Sequence, residues 1–355
     1  IYTLSLHDAL PISSVLAEFD DGSPAITRNT YGKGMGIALG FTFSDMILQN
    51  LTNHDINTQR VYSNGFEPTT DTIYLFLLSI FEEYIPYSVR KHTSPSRSTS
   101  SLILTHDVDA STSMEHMLYF ARSEMLRDIY PTYFITTRYV SDAIYGNYYN
   151  DKTIPLLRKL YTYNSNIQSH SVGHFLDFNV IELGSPGNTK ETYSPHYIET
   201  NVSAGATVYG ELEVSKNLLE TDIGTNVIAF RAGHLLVNKY LFNVLDDLGY
   251  LYDSSQSAND VLTNFPYFTQ YNNSVGGVLT KVIELPMTIS DVYGTIEYSE
   301  ENVNSIISNW LDVVNKNAAN YAPTVLLIHP TLIEKLAMQE KFLDQAKQAV
   351  EDLRE

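Results

Sequence analysis

Apolar and polar positions change their period along this chain. From Ser100 onward, short apolar runs alternate with segments of helical period. SLILTHD, PTYFITT, NIQSHS, NVIAFRA, LYDSS, VIELPMT and TVLLIHP read as strands. Between them, STSMEHMLYFARSEMLRDI, TIPLLRKLYTY, VYGELEVSKNLLETDI, NKYLFNVLDDLGY and ENVNSIISNWLDVVNKN read as helices, and a last helix is expected from Thr331 to Arg354. Repeated strand-then-helix units predict a parallel sheet or barrel, with functional residues at the C-terminal ends of strands.

The first part of the chain is patterned differently. SPAITRNTYGKGMGIALGF predicts two strands joined at Gly32, Gly34 and Gly36, and TDTIYLFLLSIFEEYI predicts an apolar helix. A strand-like IALGF follows the glycines where a phosphate-binding turn needs a helix, so a hairpin is expected. The basic, Ser- and Pro-rich stretch at 89–99 lacks periodicity and reads as a linker between an accessory unit at 13–88 and a larger unit at 100–355. IYTLSLHDALPI, residues 1–12, resembles translated read-through of a sequencing adapter. It is set aside, and the native N-terminus with any signal peptide is expected upstream.

Composition narrows the chemistry. The 355 residues hold 22 Lys and Arg against 41 Asp and Glu, a formal net charge of −19, which argues against a nucleic-acid partner. The absence of cysteine excludes disulfides, thiolate nucleophiles and Cys-ligated zinc. No apolar run is long enough to predict a membrane span.

The unusual polar residues fall at predicted strand ends. Asp107 and Asp109 in THDVD alternate along one strand and project to one side, as a cation site or an acid–base pair would require; Asp109 also suits a helix cap. His170 and His174 in HSVGH are four apart, a spacing that lets both bind one ion on a helical turn, though packed or exposed histidines fit it as well. With Asp109 they make two imidazoles and one carboxylate, leaving room for water. Arg231 in FRAGH can fix a carboxylate through a bidentate contact or form an ordinary ion pair. His234 follows it in the same loop. His329 ends the apolar run TVLLI, a costly place for an imidazole without a partner, and Asp253 in LYDSS is a candidate to orient it. His106 should point away from the two aspartates. Tyr193 and Tyr197, in the long polar segment after His174, are candidates to stack on sugar rings or to cover the surface.

In order and context these motifs resemble the polysaccharide deacetylase family across Leu102 to His329. The resemblance matches Asp107 and Asp109 to the family's first motif and His170 and His174 to its second, H-(S/T)-x-x-H. In the third, R-x-P-Y, only Arg231 is kept, with Gly233 and His234 in place of Pro and Tyr. The fourth, D-x-x-W, keeps Asp253 without the Trp, and the fifth, L-x-H, matches at Leu327 and His329. The DGSPA to YGKG hairpin resembles part of glutamine-amidotransferase-like domains, without the cysteine a glutaminase needs.

The resemblance implies an α/β fold, a distorted (β/α) barrel of the NodB/polysaccharide deacetylase type preceded by a small α/β fragment. It implies a divalent metal, Zn²⁺ by family precedent, held by Asp109, His170 and His174. Asp107 would be the base, Arg231 its anchor, His329 with Asp253 the acid, and the backbone at His234 an oxyanion donor. The expected reaction removes N-acetyl or O-acetyl groups from a carbohydrate, and the resemblance favours an extracellular or cell-envelope location. Hydrolysis of a non-sugar amide and a metal-retaining module without turnover are the alternatives. A DxD glycosyltransferase gives no account of His170, His174 and His329.

Overall fold

The computed structural model describes residues 13–44, 47, 69–85, 87, 93–95, 98–274, 277–292 and 298–352. The segment 1–12 lies outside the described residues. The chain divides into two compact units, 1–51 and 52–355. In the first, β1 (Ser13–Glu18), β2 (Pro24–Tyr31) and β3 (Gly34–Leu39) form an antiparallel sheet. The expected glycine hairpin joins β2 to β3, with Gly32 in the left-handed region at φ 61°.

The linker expected at 89–99, with its boundary near Ser98, does not coincide with the division at 51/52. The apolar helix α1 (Thr69–Tyr84) belongs to the second unit because its first turn is tied there. The buried Asp71 carboxylate accepts from the Thr263 hydroxyl and, at 2.8 Å, from the Asn264 backbone N–H, while Thr70 N–H donates to Leu262 O.

The second unit continues with β4 (Leu102–Val108), α2 (Ser111–Met125), β5 (Thr132–Ile135), α3 (Ile154–Thr162) and β6 (Asn166–Ser169). A small hairpin, β7 (His196–Glu199) and β8 (Val202–Ala204), leads into α4 (Val208–Ile223) and β9 (Ala229–Phe230). Then come α5 (Leu241–Asp247), β10 (Tyr252–Asp253), α6 (Ala258–Val261), β11 (Tyr267–Gln270), β12 (Leu279–Glu284), β13 (Ile289–Ser290), α7 (Val303–Ala319), β14 (Thr324–Ile328) and α8 (Lys335–Asp352).

Nine strands form one sheet in the order β11-β12-β10-β9-β6-β5-β4-β14-β13, parallel except for the edge strand β11. Strands β4, β5, β6, β9, β10 and β12 follow one another in the sheet as in the chain, and β13 and β14 close back onto β4. The (β/α) barrel order is therefore present but open between the edge strands β11 and β13. Both neighbours of β4 are parallel, so the strand is covered on both faces and reads as a nearly continuous buried run, as does β14. One apolar cluster joins α2, α3, α4 and α5 to the sheet; a second, centred on Trp310 and Phe342, joins α7 and α8 to β14. Among the described residues no helix is long and apolar enough to cross a membrane.

Candidate active site

The ends of β4, β6, β9, β13 and β14 bring most of the expected residues together. Asp107 is buried, and its Oδ1 accepts from Arg231 Nη1 at 2.9 Å. The contact is single, not bidentate. The remaining guanidinium donors go to Thr105 Oγ1 at 2.9 Å, Ser254 O at 3.1 Å and Ser254 Oγ at 2.9 Å. Arg231 also stacks on Phe134, 4.5 Å from the ring centroid. Burial pushes the Asp107 carboxyl up, but Arg231, His170 and His329 outweigh it and hold the group below its ordinary range.

His170 Nδ1 donates to Arg231 O at 2.7 Å. Its Nε2 lies 3.5 Å from Asp107 Oδ2, buried without a hydrogen-bond partner. His174 follows in a loop, not on the helical turn that its spacing suggested. Ser171 and His174 both have left-handed backbones, at φ 68° and 51°, and the two rings stand 4.8 Å apart. The loop is held from outside: Glu211 on α4 accepts from Val172 N–H at 3.0 Å and Gly173 N–H at 2.7 Å, Arg138 donates to Gly173 O, and Tyr197 OH donates to His174 O at 3.2 Å. Burial holds the His174 imidazole well below its ordinary range, so it is neutral.

Asp109, just past β4, places Oδ2 at 3.9 Å from His174 Nε2 and 4.0 Å from His329 Nε2. Gly233 lies against His174; a Cβ there would fall 2.6 Å from His174 Cδ2, so this sequence has room for the imidazole only because the position is bare. The next residue, His234, has φ 54° and sets its ring 4.4 Å from that of His174.

Asp253 is not the partner of His329. Its carboxylate accepts from Ser255 N–H at 3.1 Å and Ser255 Oγ at 2.8 Å, and Ser255 Oγ in turn accepts from Ala232 N–H at 2.9 Å. Beside it lies Glu284, and burial raises both acids. The histidine's partner is Asp291, which follows β13. Asp291 Oδ1 accepts from His329 Nδ1 at 2.7 Å and Oδ2 from His329 N–H at 3.0 Å, while Lys335 Nζ donates to Oδ2. Burial opposes charge on His329, but Asp291 prevails and lifts its pKa to about 9, with Asp291 itself held down at about 2. Sequence reasoning missed Asp291 because it follows a strand of only two residues. The available signal was ISD beyond IELPM, the strand that pairs with β14 through Ser290 and Leu327.

Two further expectations resolve differently. His106 points away as expected, bonding Glu124 Oε1 at 2.7 Å and Ile328 O at 2.9 Å and stacking on Tyr133. Tyr193 and Tyr197 are buried, their hydroxyls bonded to Glu211 and to the backbone of 174–176, so they offer no platform for a sugar.

Among the described residues no three His, Asp or Glu side chains form a closed metal-binding cluster. His174 approaches both Asp109 and His170, and the donor set suits a divalent ion in its chemistry: two imidazoles, one carboxylate, and a buried Nε2 with no hydrogen-bond partner.

No family model and no curated protein matches the chain. Solved structures are similar at low identity. An assigned polysaccharide deacetylase from Mycobacterium smegmatis is 18% identical over 73% of this chain and 87% of its own, with a TM-score of 0.47. The catalytic domain of a peptidoglycan N-acetylglucosamine deacetylase from Eubacterium rectale is 8% identical over 74% and 90%, with a TM-score of 0.41. A CE4 family pseudoenzyme from Bacillus anthracis is 11% identical over 71% and 62%, with a TM-score of 0.40. The likeness of the first unit to glutamine-amidotransferase-like domains finds no support among these matches. At such identities and scores, function has to be read from the site.

Proposed function

We propose that this chain is a metal-dependent hydrolase that removes acetyl groups, N-linked in the first instance, from a carbohydrate. The observation that carries the reading is the meeting at the strand ends of three distinct functions: a buried carboxylate held ionised by Arg231, an imidazole held protonated by Asp291, and an unpartnered imidazole nitrogen 3.5 Å from that carboxylate.

Asp109, His170 and His174 would hold the ion, which when bound supplies a Lewis acid for the acyl oxygen and lowers the pKa of water. Asp107 accepts the proton of the attacking water, because Arg231 keeps it charged and fixes its orientation. His329, protonated at neutral pH, delivers a proton from Nε2 to the leaving nitrogen. Arg231, pinned at Thr105 and Ser254, also fixes His170 through its own carbonyl, so one residue orients both base and ligand.

The sugar part of the reading rests on the motif resemblance. The burial of Tyr193 and Tyr197 favours a second reading on the substrate side, a non-sugar N-acetyl amide cleaved by the same groups. The test is acetate release from N-acetylglucosamine oligomers and from small N-acetyl amides. Asp107→Asn is expected to lose about 10²–10⁴-fold in rate on the true substrate. Undiminished activity in that variant would end the assignment.

A further inference from the structure

Lys335 opens the first turn of α8 and is only 6% exposed. An ammonium there stands at the positive end of an 18-residue helix and has lost most of its water. Both terms oppose it, and helix propensity alone would favour alanine. What compensates is Asp291, whose Oδ2 receives the Lys335 Nζ together with the His329 backbone N–H, while Oδ1 receives His329 Nδ1. Three donors, two from His329 just past β14 and one from α8, thus fix the plane of one carboxylate. With Lys335 removed, the second oxygen would keep only the His329 backbone N–H, and both remaining holds on the carboxylate would come from the residue it is meant to orient.

We propose that Lys335 is a positioning residue for the proton donor: through Asp291 it fixes the His329 ring so that Nε2 faces Asp109 and the leaving group. The inference rests on the reading of His329 as general acid. In that step the amide C–N bond breaks, the nitrogen takes the Nε2 proton, and the acyl carbon keeps the water oxygen. Asp107 holds one proton of the water and the acyl carbon its hydroxyl, so the products are a free amine and acetic acid, which ionises to acetate; return of the Asp107 proton to His329 restores both groups. An aryl acetate differs, because its phenolate departs without a proton. Dependence on Lys335 therefore separates the two substrates.

The experiment compares the full chain, supplied with zinc, as wild type, Lys335→Met and Lys335→Arg, on an N-acetylglucosamine oligomer and on 4-nitrophenyl acetate. Lys335→Met is expected to lose about tenfold or more in kcat on the amide at unchanged KM, to lose about twofold or less on the aryl ester, and to be rescued by Lys335→Arg. Equal losses on both substrates, or full amide activity in Lys335→Met, would overturn the proposal. Proton NMR gives a readout independent of turnover. The bond at 2.7 Å from Nδ1 to Asp291 should give a protected downfield proton in the wild type that broadens in Lys335→Met and returns in Lys335→Arg. An unchanged resonance in Lys335→Met would contradict the positioning role even if the wild type proved inactive on both substrates, an outcome that would sink the deacetylase reading by itself.

Discussion

Asp253 and Asp291 each follow a short buried strand, yet only one of them touches His329. Asp291 meets both Nδ1 and the backbone N–H of the histidine, whereas Asp253 is spent on Ser255 and on the acid Glu284 beside it. Asp291→Asn removes the charge that keeps the imidazole protonated and should lower kcat on an amide by about 10²-fold or more. Asp253→Asn keeps the shape of a group that never reaches the ring and should change kcat by less than about tenfold. Parallel kcat measurements on the two variants decide it, and a reversed ranking would restore Asp253 as the partner. Strand-end placement made Asp107, Asp109, His170, Arg231 and His329 legible in the sequence. The partner of His329 was not, because ISD marks Asp291 only as a strand-end acid, and the choice between it and Asp253 depends on which strand lies beside β14.

At the scale of elements, the histidine loop shows how much of a site is made by its supports. Four-residue spacing suggested a helical turn, but the loop turns through left-handed backbone at Ser171 and His174, and Glu211 from the neighbouring helix fixes that shape by taking two backbone N–H groups. Burial lifts the Glu211 carboxyl from 4.5 to about 7, against the pull of those hydrogen bonds. An acid whose pKa is raised by folding contributes its stability in full below the unfolded value and loses it as pH rises through the folded one. Stability should therefore fall by about 3 kcal/mol between pH 4.5 and 7 on this account. Glu211→Gln keeps an oxygen for the backbone donors and should flatten that slope, as denaturant unfolding across the range would show; an identical slope would mean that Glu211 is not the group responsible. Periodicity exposed the alternating strands and helices because each buries a long apolar face. The β7–β8 hairpin, β11 and the left-handed residues escaped it, since their shape comes from tertiary hydrogen bonds.

In the larger unit, the barrel order opens between the edge strands β11 and β13, and α1 is bonded to the residues at 262–264, of which Asn264 accepts from Thr288 beside β13. Composition put α1 with the preceding strands because both lie before a polar linker; the buried bonds of Asp71 put it with the larger unit. In the function proposed above, Asp109, His170 and His174 would hold a divalent cation at the strand ends, between the base Asp107 and the acid His329. The most direct measurement is acetate release from an N-acetylated substrate by the full chain, first stripped with chelator and then titrated with Zn²⁺. The stripped protein should release none, recovery should saturate near one ion per chain, and His170→Ala should not recover at the same zinc concentration. Release that persists at the same rate in the stripped protein, or a His170→Ala variant that recovers in full, would contradict the proposed function.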